Sequence, residues 1–184
     1  MDDLIQDATR RMDKSVETTQ VEFNTVRTGR ASAALLDRIT VDYYGQQTPL
    51  KQLATINVPE PRMMTVQPFD PSSIKEIERA IQESELGLTP SNDGKVIRLP
   101  IPQLTEERRK ELVKVVRQIA EDGRIAIRNV RRDADKHLKD MKTEGEVGED
   151  EERRGEERVQ KLTDEHTSRI DDLLKKKEAE ITEV

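Results

Sequence analysis

The sequence predicts an α+β protein of two domains, an elongated three-helix bundle with a small β/α/β domain inserted into it. Three observations carry that expectation. Apolar residues recur every three to four positions in three long segments, near the start, the middle and the end of the chain. Between the first two of these the chain switches to short alternating runs punctuated by proline and glycine. Charged residues make up 38% of the chain and aromatics 2%, with no tryptophan. That balance disfavours a thick globular core and favours long helices packed side by side.

Residues 3–27 form the first helical pattern. Ile5, Ala8, Met12, Val16, Thr19, Phe23 and Val26 share one face, a stripe that needs partner helices to be stable. The pattern stops at Thr28 and Gly29, where glycine offers a cap or a sharp change of direction. Residues 38–44 alternate as a strand and meet a turn at Gly45. Further short strands are expected at 48–50, 54–58, 63–67 and 96–99, with turns at 86–88 and 91–94. Asp70 before Pro71 marks the start of a helix whose buried side is Ile74, Ile77, Ala80 and Ile81.

After Pro102 a second long helix is predicted over residues 105–144. Thr105 is its expected N-cap, and Glu106 and Glu107 face the positive end of the dipole. Its apolar stripe reads as Leu112, Val116, Ile119, Ala126, Val130 and Ala134. Gly123 lies inside it, at a cost of up to about 1 kcal/mol relative to alanine, so either the helix bends there or a neighbour packs close. The third long helix, 150–183, carries Val159, Leu162, His166, Ile170, Leu173 and Ile181 on its inner side. The predicted domains are 1–29 with 104–184 for the bundle and 30–103 for the insert. Two connections join them, so relative motion is expected about Thr28, Gly29, Arg30 and Ala31 on one strand and Pro102, Gln103 and Leu104 on the other.

The chain has no cysteine, which removes disulfides and thiolate metal sites. Its acidic start has no apolar core of a signal peptide, and no run approaches the ~18 apolar residues that would span a bilayer. A cytoplasmic protein without membrane association is expected. No phosphate-cradling glycine loop, cysteine nucleophile or metal-ligand spacing is present. His137 and His166 are too isolated to ligate a metal, and His166 reads as a packed residue. The reading is therefore a non-enzyme with no cofactor, no metal and no catalytic residue. Tyr43 and Tyr44 point to opposite sides of a strand, so at most one could serve a surface.

A net charge of −6 hides strong segregation. Residues 108–132 hold nine Lys/Arg against three Asp/Glu, and residues 144–157 hold eight Asp/Glu against two Arg. Polyanion binding depends on local potential, screened beyond about 8 Å at physiological salt. At about 100° per residue, Arg117, Arg124, Arg128 and Arg131 fall on one stripe of the second long helix. The sequence places that stripe on roughly the opposite side from the apolar one. A row of arginines, suited to bidentate phosphate contacts, points to structured RNA. Asp133 and Asp135 could neutralise Arg131 or Arg132. The competing reading is a coiled-coil scaffold or chaperone whose apolar stripes bind partner helices. A hydrolase in the insert lacks a nucleophile and base.

Six short motifs add a resemblance. They are residues 26–31 (VRTGRA), 42–45 (DYYG), 48–50 (TPL), 86–88 (LGL), 104–109 (LTEERR) and 130–134 (VRRDA). Together, in order and spacing over essentially the whole chain, they resemble the bacterial ribosome recycling factors. The resemblance implies a three-helix bundle with a hinged β/α/β domain, L-shaped and tRNA-like in overall dimensions. It implies action after termination, with elongation factor G and GTP hydrolysis by that partner, to split the ribosome into subunits and release it from mRNA. The implied partners are the large (50S) ribosomal subunit, through its 23S rRNA, and elongation factor G with GTP; a monomer is expected. Arg128, Arg131 and Arg132 match the family's rRNA-contacting arginines, and Arg27 and Arg30 match basic residues near the hinge. Arg124 and Arg117 stand at the margin of the same contact.

Overall fold

A computed structural model describes residues 1–183 and divides the chain into two compact units. One comprises Met1–Thr28 and the chain from Glu106 onward; the other is Gly29–Thr105. The first unit is a bundle of α1 (Asp2–Thr25), α4 (Glu106–Thr143) and α5 (Glu149–Thr182). At 1.5 Å per residue, α4 and α5 each extend roughly 50–60 Å.

Periodicity places the core of α1 where the sequence does. Ile5, Ala8, Met12, Val16, Thr19 and Phe23 are buried. Val26 is not, because the helix has already ended and Val26 takes an extended backbone as its C-cap. On α4 the buried residues are Leu112, Val116, Ala120, Gly123, Ile127, Val130, Ala134 and Leu138. The expected Ile119 and Ala126 are only half-buried, at one flank of this stripe. On α5, Val159, Thr163, His166, Ile170 and Ile181 are buried, while Leu162 and Leu173 are half-buried. Both shifts have the same origin. The sequence defines an apolar face only to within about one residue's rotation of the helix, and the centre of the buried stripe is set by the close approach of small residues such as Gly123 and Gly155.

Gly123 shows this directly. A Cβ built there would meet the Thr19 hydroxyl of α1 and lie 2.8 Å from Ile170 Cδ1 of α5. The helix runs through Gly123 without interruption, and close packing accounts for the residue. Gly155 on α5 plays the same part toward α4, where a Cβ would sit 2.8 Å from Leu138 Cδ2.

The turn between α4 and α5 is closed by backbone bonds. Gly145, at φ +76°, donates to Lys142 O (3.0 Å) and Glu146 N donates to Met141 O (2.9 Å), the Schellman arrangement that satisfies a helix's last carbonyls. Four acids, Glu149 to Glu152, occupy the first turn of α5. Anions there are favoured by the exposed N–H groups and the dipole, which gives the acidic segment a structural role.

The second unit begins with a 3-10 turn at Ala33–Leu36, followed by a hairpin of β1 (Thr40–Tyr43) and β2 (Gln46–Pro49) and a helical turn, α2 (Leu50–Leu53). Strands β3 (Ala54–Glu60), β4 (Met63–Pro68), β5 (Ser91–Asn92) and β6 (Ile97–Pro100) form an antiparallel sheet in the order β3-β4-β6-β5. Ser91 and Asn92, expected as part of a turn, pair with Arg98 and Ile97. Helix α3 (Ile74–Glu83) buries Ile74, Ile77 and Ile81. They join Met64, Val66, Ile97 and Leu99 from the sheet in a core that also takes in Leu36, Val41 and Leu50. Asp70 acts as foreseen at the entry to the helical segment. Its Oδ1 accepts from Ser72 N (3.0 Å), and its Oδ2 accepts from the Tyr43 hydroxyl (3.0 Å).

One carboxylate in this unit is held strongly ionised. Asp93 Oδ1 accepts from the backbone N–H groups of Val96 (2.9 Å) and Lys95 (3.0 Å), and Arg98 Nη1 donates to Oδ2 (3.0 Å). These donors, Val96 first, bring its pKa from 3.8 down to about 2. A depressed carboxylate pKa contributes stability that is fully present above the unfolded value and lost as pH falls through the folded one. Acid unfolding should therefore show a loss of stability between pH 3.8 and about 2 that Asp93→Asn removes. An identical acid profile in that variant would exclude the turn as a source of the pH dependence.

Candidate nucleic-acid interface

The arginines of α4 lie closer to the core than the sequence places them. At about 100° per residue, Arg117, Arg124, Arg128 and Arg131 share a sector about 60° wide, but its centre is only about 90° from the centre of the buried stripe. The stripe actually buried runs through Ala120, Gly123 and Ile127, and this brings α5 alongside part of the arginine row. The expectation of a row opposite the core is corrected accordingly.

Two arginines are taken up by that neighbour. Arg124 is 22% exposed, and its Nε and Nη2 donate to Asp171 Oδ1 of α5 at 2.9 and 2.6 Å. Its Nη1 donates to Glu121 Oε2 at 3.3 Å. Burial disfavours its charge, but Asp171 and then Glu121 outweigh that, and its pKa is raised. Arg117 Nε donates to Glu178 Oε1 at 2.6 Å. Asp171 and Glu178 are two turns apart on α5, so these pairs act as cross-braces between helices. Arg128 is also engaged: its Nη2 donates to Glu121 Oε1 at 2.7 Å. The Glu121 carboxyl is held below the usual range by Arg128 and then by Arg124.

Arg131 and Arg132 differ. Arg131 is half-buried and Arg132 exposed, and among the described residues neither forms an ion pair. Of the acids that follow them, Asp133 is paired elsewhere, while Asp135 acts on Arg131 through its charge without an ion pair. Asp133 accepts from Arg11 Nη2 of α1 at 2.7 Å. Asp135 is partly buried; burial and then the charge of Glu156 raise its pKa, against the opposing influence of Arg131 and Lys139. Arg132 lies about 160° from the middle of the buried stripe, on the side of α4 farthest from its partners. The unneutralised guanidiniums of the row are thus at its C-terminal end.

The other basic and hinge positions fall in two places. Arg27 is exposed beyond the end of α1, in the first unit, and Arg30 is half-buried in the second. Thr28 and Gly29 flank the division between the units. Gly29 has φ +74°, and a Cβ there would lie 3.0 Å from Leu104 Cγ, so both backbone sign and space favour glycine. Ala31 N donates to Pro61 O (2.7 Å) and Ile101 N to Arg62 O (2.8 Å), which ties both connecting segments to the β3–β4 turn. Pro102 and Gln103 are exposed and outside regular structure.

The remaining candidates read as structure. His166 is buried, with Nδ1 2.7 Å from Leu162 O and Nε2 2.8 Å from Asp13 Oδ1. Arg169 Nη1 donates to the same Asp13 oxygen at 2.8 Å. The Arg169 bond, followed by that of His166, lowers the Asp13 pKa, and the three residues join α1 to α5. His137 is exposed. Among the described residues there is no group of three His, Cys, Asp or Glu able to hold a metal ion, and no helix long and apolar enough to cross a membrane. Tyr43 is half-buried and bonded to Asp70, while Tyr44 is 80% exposed with φ +50°.

Sequence reasoning missed Glu121, Asp171 and Glu178. Glu121 had a legible signal, since it lies three residues before Arg124 and seven before Arg128, on the same side of the helix. The partners on α5 had none, because the rotation of α5 against α4 cannot be read from either helix alone.

Comparison with known proteins agrees with this architecture over the full chain. The family model described as ribosome recycling factor matches residues 19–182. A ribosome-recycling factor of Rubrobacter xylanophilus is 55% identical over 180 residues, covering 98% of this chain and 97% of its own. One from Synechocystis sp. is 60% identical over 173 residues, covering 94% and 95%. Among solved structures, the solution structure of a ribosome recycling factor is similar with a TM-score of 0.76 at 45% identity, covering all of this chain and 97% of that one. A second is the ribosome recycling factor of T. thermophilus, in models with the elongation factor G of E. coli on the E. coli post-termination complex. It has a TM-score of 0.66 at 48% identity, with 98% and 97% covered. A bundle interrupted by a small β unit thus comes with relatives that are similar from end to end, and the chain belongs to the ribosome recycling factor family.

Proposed function

We propose that this protein is a cytoplasmic, non-enzymatic translation factor that dissociates the post-termination ribosome into subunits and releases it from mRNA, together with elongation factor G and GTP. The basic end of α4 anchors the bundle on the 23S rRNA of the large subunit. Arg131 and Arg132 make the principal contacts, and Arg128, Arg27 and Arg30 extend them. Arg117 and Arg124 contribute to the local potential while bracing α4 against α5. The observation that carries this reading is the pair of guanidiniums without ion-pair partners among the described residues, on a helix backed by two others. The helix that carries them has no backbone freedom left to lose on binding, so only the ordering of the side chains, about 0.5–1.5 kcal/mol each, is subtracted from the contact energy.

Phosphate contacts release counterions, and binding must then weaken as salt rises, with a log–log slope of about 0.7–0.9 per contact. Sedimentation of the protein with purified large subunits at a series of salt concentrations should show that slope. A scaffold or chaperone would bind through apolar faces with little salt dependence, and a flat response would favour it.

The sequence carries no phosphate-cradling glycine loop with its lysine, and the work of splitting is assigned to the partner's GTP cycle. The β unit moves about Thr28, Gly29, Arg30 and Ala31 and about Pro102, Gln103 and Leu104, and the bundle transmits the force. A disulfide engineered between the two units should leave large-subunit binding intact and abolish splitting. Full splitting activity in the cross-linked form would remove the moving-unit mechanism.

A further inference from the structure

We infer that Glu121 is an internal stand-in for an RNA phosphate: it holds Arg128 in the free protein and yields it when RNA binds. This rests on the reading of the α4 basic face as an RNA contact.

The geometry separates Arg128 from the other paired arginines. Its ion-pair partner among the described residues is Glu121 alone, at 2.7 Å, on the same helix. Arg124, by contrast, has Asp171 at 2.6 Å and uses Glu121 only as a longer contact of 3.3 Å. Losing Glu121 would leave Arg124 held and Arg128 free. The exchange is also sterically open, since the Arg128 and Glu121 side chains are 38% and 43% exposed. Around the helix, Arg128 falls between Arg131 and Arg132, about one turn back along the axis. Released, it would extend a two-arginine contact to three on one surface.

The energetics favour the exchange. An exposed ion pair is weak because water competes for both partners. A phosphate offers a guanidinium paired, charge-assisted bonds with better geometry. The carboxylate left behind then lies beside a phosphate, and that repulsion opposes any polyanion that cannot fully occupy Arg128. Glu121 therefore trades affinity for selectivity, through a repulsive element built into the binding face. A glutamate carboxyl is ionised at neutral pH, so that charge is in place. Glu121 is a positioning residue in this scheme and need not touch the RNA.

The test is a four-protein cycle of the full chain: wild type, Glu121→Gln, Arg128→Ala and the double variant, each titrated with purified large ribosomal subunits across salt. Glu121→Gln should tighten binding by up to about fivefold and steepen the log–log salt slope by about 0.7–0.9. Both gains should shrink in the Arg128→Ala background, where only the repulsion is relieved and no guanidinium is released. Glu121→Ala, which keeps a strong helix former at the position, should reproduce the Glu121→Gln result. Unchanged affinity and slope in Glu121→Gln, or a gain of equal size in the presence of Arg128→Ala, would overturn the inference. Wild-type binding that ignores salt would instead overturn the RNA reading itself, and this inference with it.

Discussion

Replacing Arg131 and Arg132 together with alanine is expected to weaken binding to the large ribosomal subunit at least a hundredfold while leaving the fold intact. Each charge-assisted hydrogen bond to a phosphate contributes roughly 1.5–3 kcal/mol, and neighbouring contacts do not add simply. The same variant should lower the salt slope by about 1.4–1.8, because two counterion-releasing contacts are gone. Its thermal unfolding should stay within about 0.5 kcal/mol of the parent, as for surface substitutions outside packed or paired positions. Arg124→Ala provides the opposite control. It removes the cation between Asp171 and Glu121 at a half-buried site, and should cost roughly 1–2 kcal/mol of stability after allowance for solvent screening. Its effect on binding should be small. If the double variant binds normally, or if Arg124→Ala weakens binding as much without loss of stability, the free end of the row has been misassigned.

The second large effect is expected at Gly123. Replacement by alanine gains about 1 kcal/mol of helix propensity, yet the added methyl enters the crossing of three helices. Ile170 Cδ1 can swing away from 2.8 Å; the Thr19 hydroxyl is less free, because it donates to Ser15 O at 2.9 Å. Overpacking of this kind costs about 1–3 kcal/mol, so Gly123→Ala should be destabilising by up to about 2 kcal/mol net. Gly123→Leu has no room at all and should lose at least about 3 kcal/mol. For a chain of this size each kcal/mol lowers Tm by about 2–4 °C, readable by circular dichroism or urea unfolding. Adding Thr19→Ala to Gly123→Ala should recover most of the loss. A stabilised Gly123→Ala protein would show that the crossing is looser than the packing of Thr19 and Ile170 implies.

These two sites show where sequence reading succeeds and where it stops. The α1 stripe from Ile5 to Phe23 was legible because helical periodicity needs only the local rise and turn of the chain. The start at Asp70-Pro71 and the Ile74–Ile77–Ile81 face were legible for the same reason. At Gly123 the sequence posed the question of bend or close approach, but the answer lies on Thr19 and Ile170, far away in the chain. Thr163, and not the larger Leu162, is buried on α5 because a crossing helix selects for fit at one angle. The short β5–β6 pairing shows a further limit. Two-residue strands carry almost no pattern, and their existence depends on the partner strand.

The sequence by itself determined the helices, the interruption by a β unit, the arginine-rich segment of α4 and, through its motifs, the family. Local geometry and residue chemistry are sufficient for each of these. Only the tertiary structure decided which arginines are available. Arg124 meets Asp171 across 47 positions of chain and Arg117 meets Glu178 across 61, and Asp133 turns from its neighbours to Arg11 across 122. Those pairings depend on how the helices are rotated against one another, which is set by small residues such as Gly123 and Gly155 at the crossings. The rotation pairs Arg117 and Arg124 with α5 and leaves Arg131 and Arg132 for a partner.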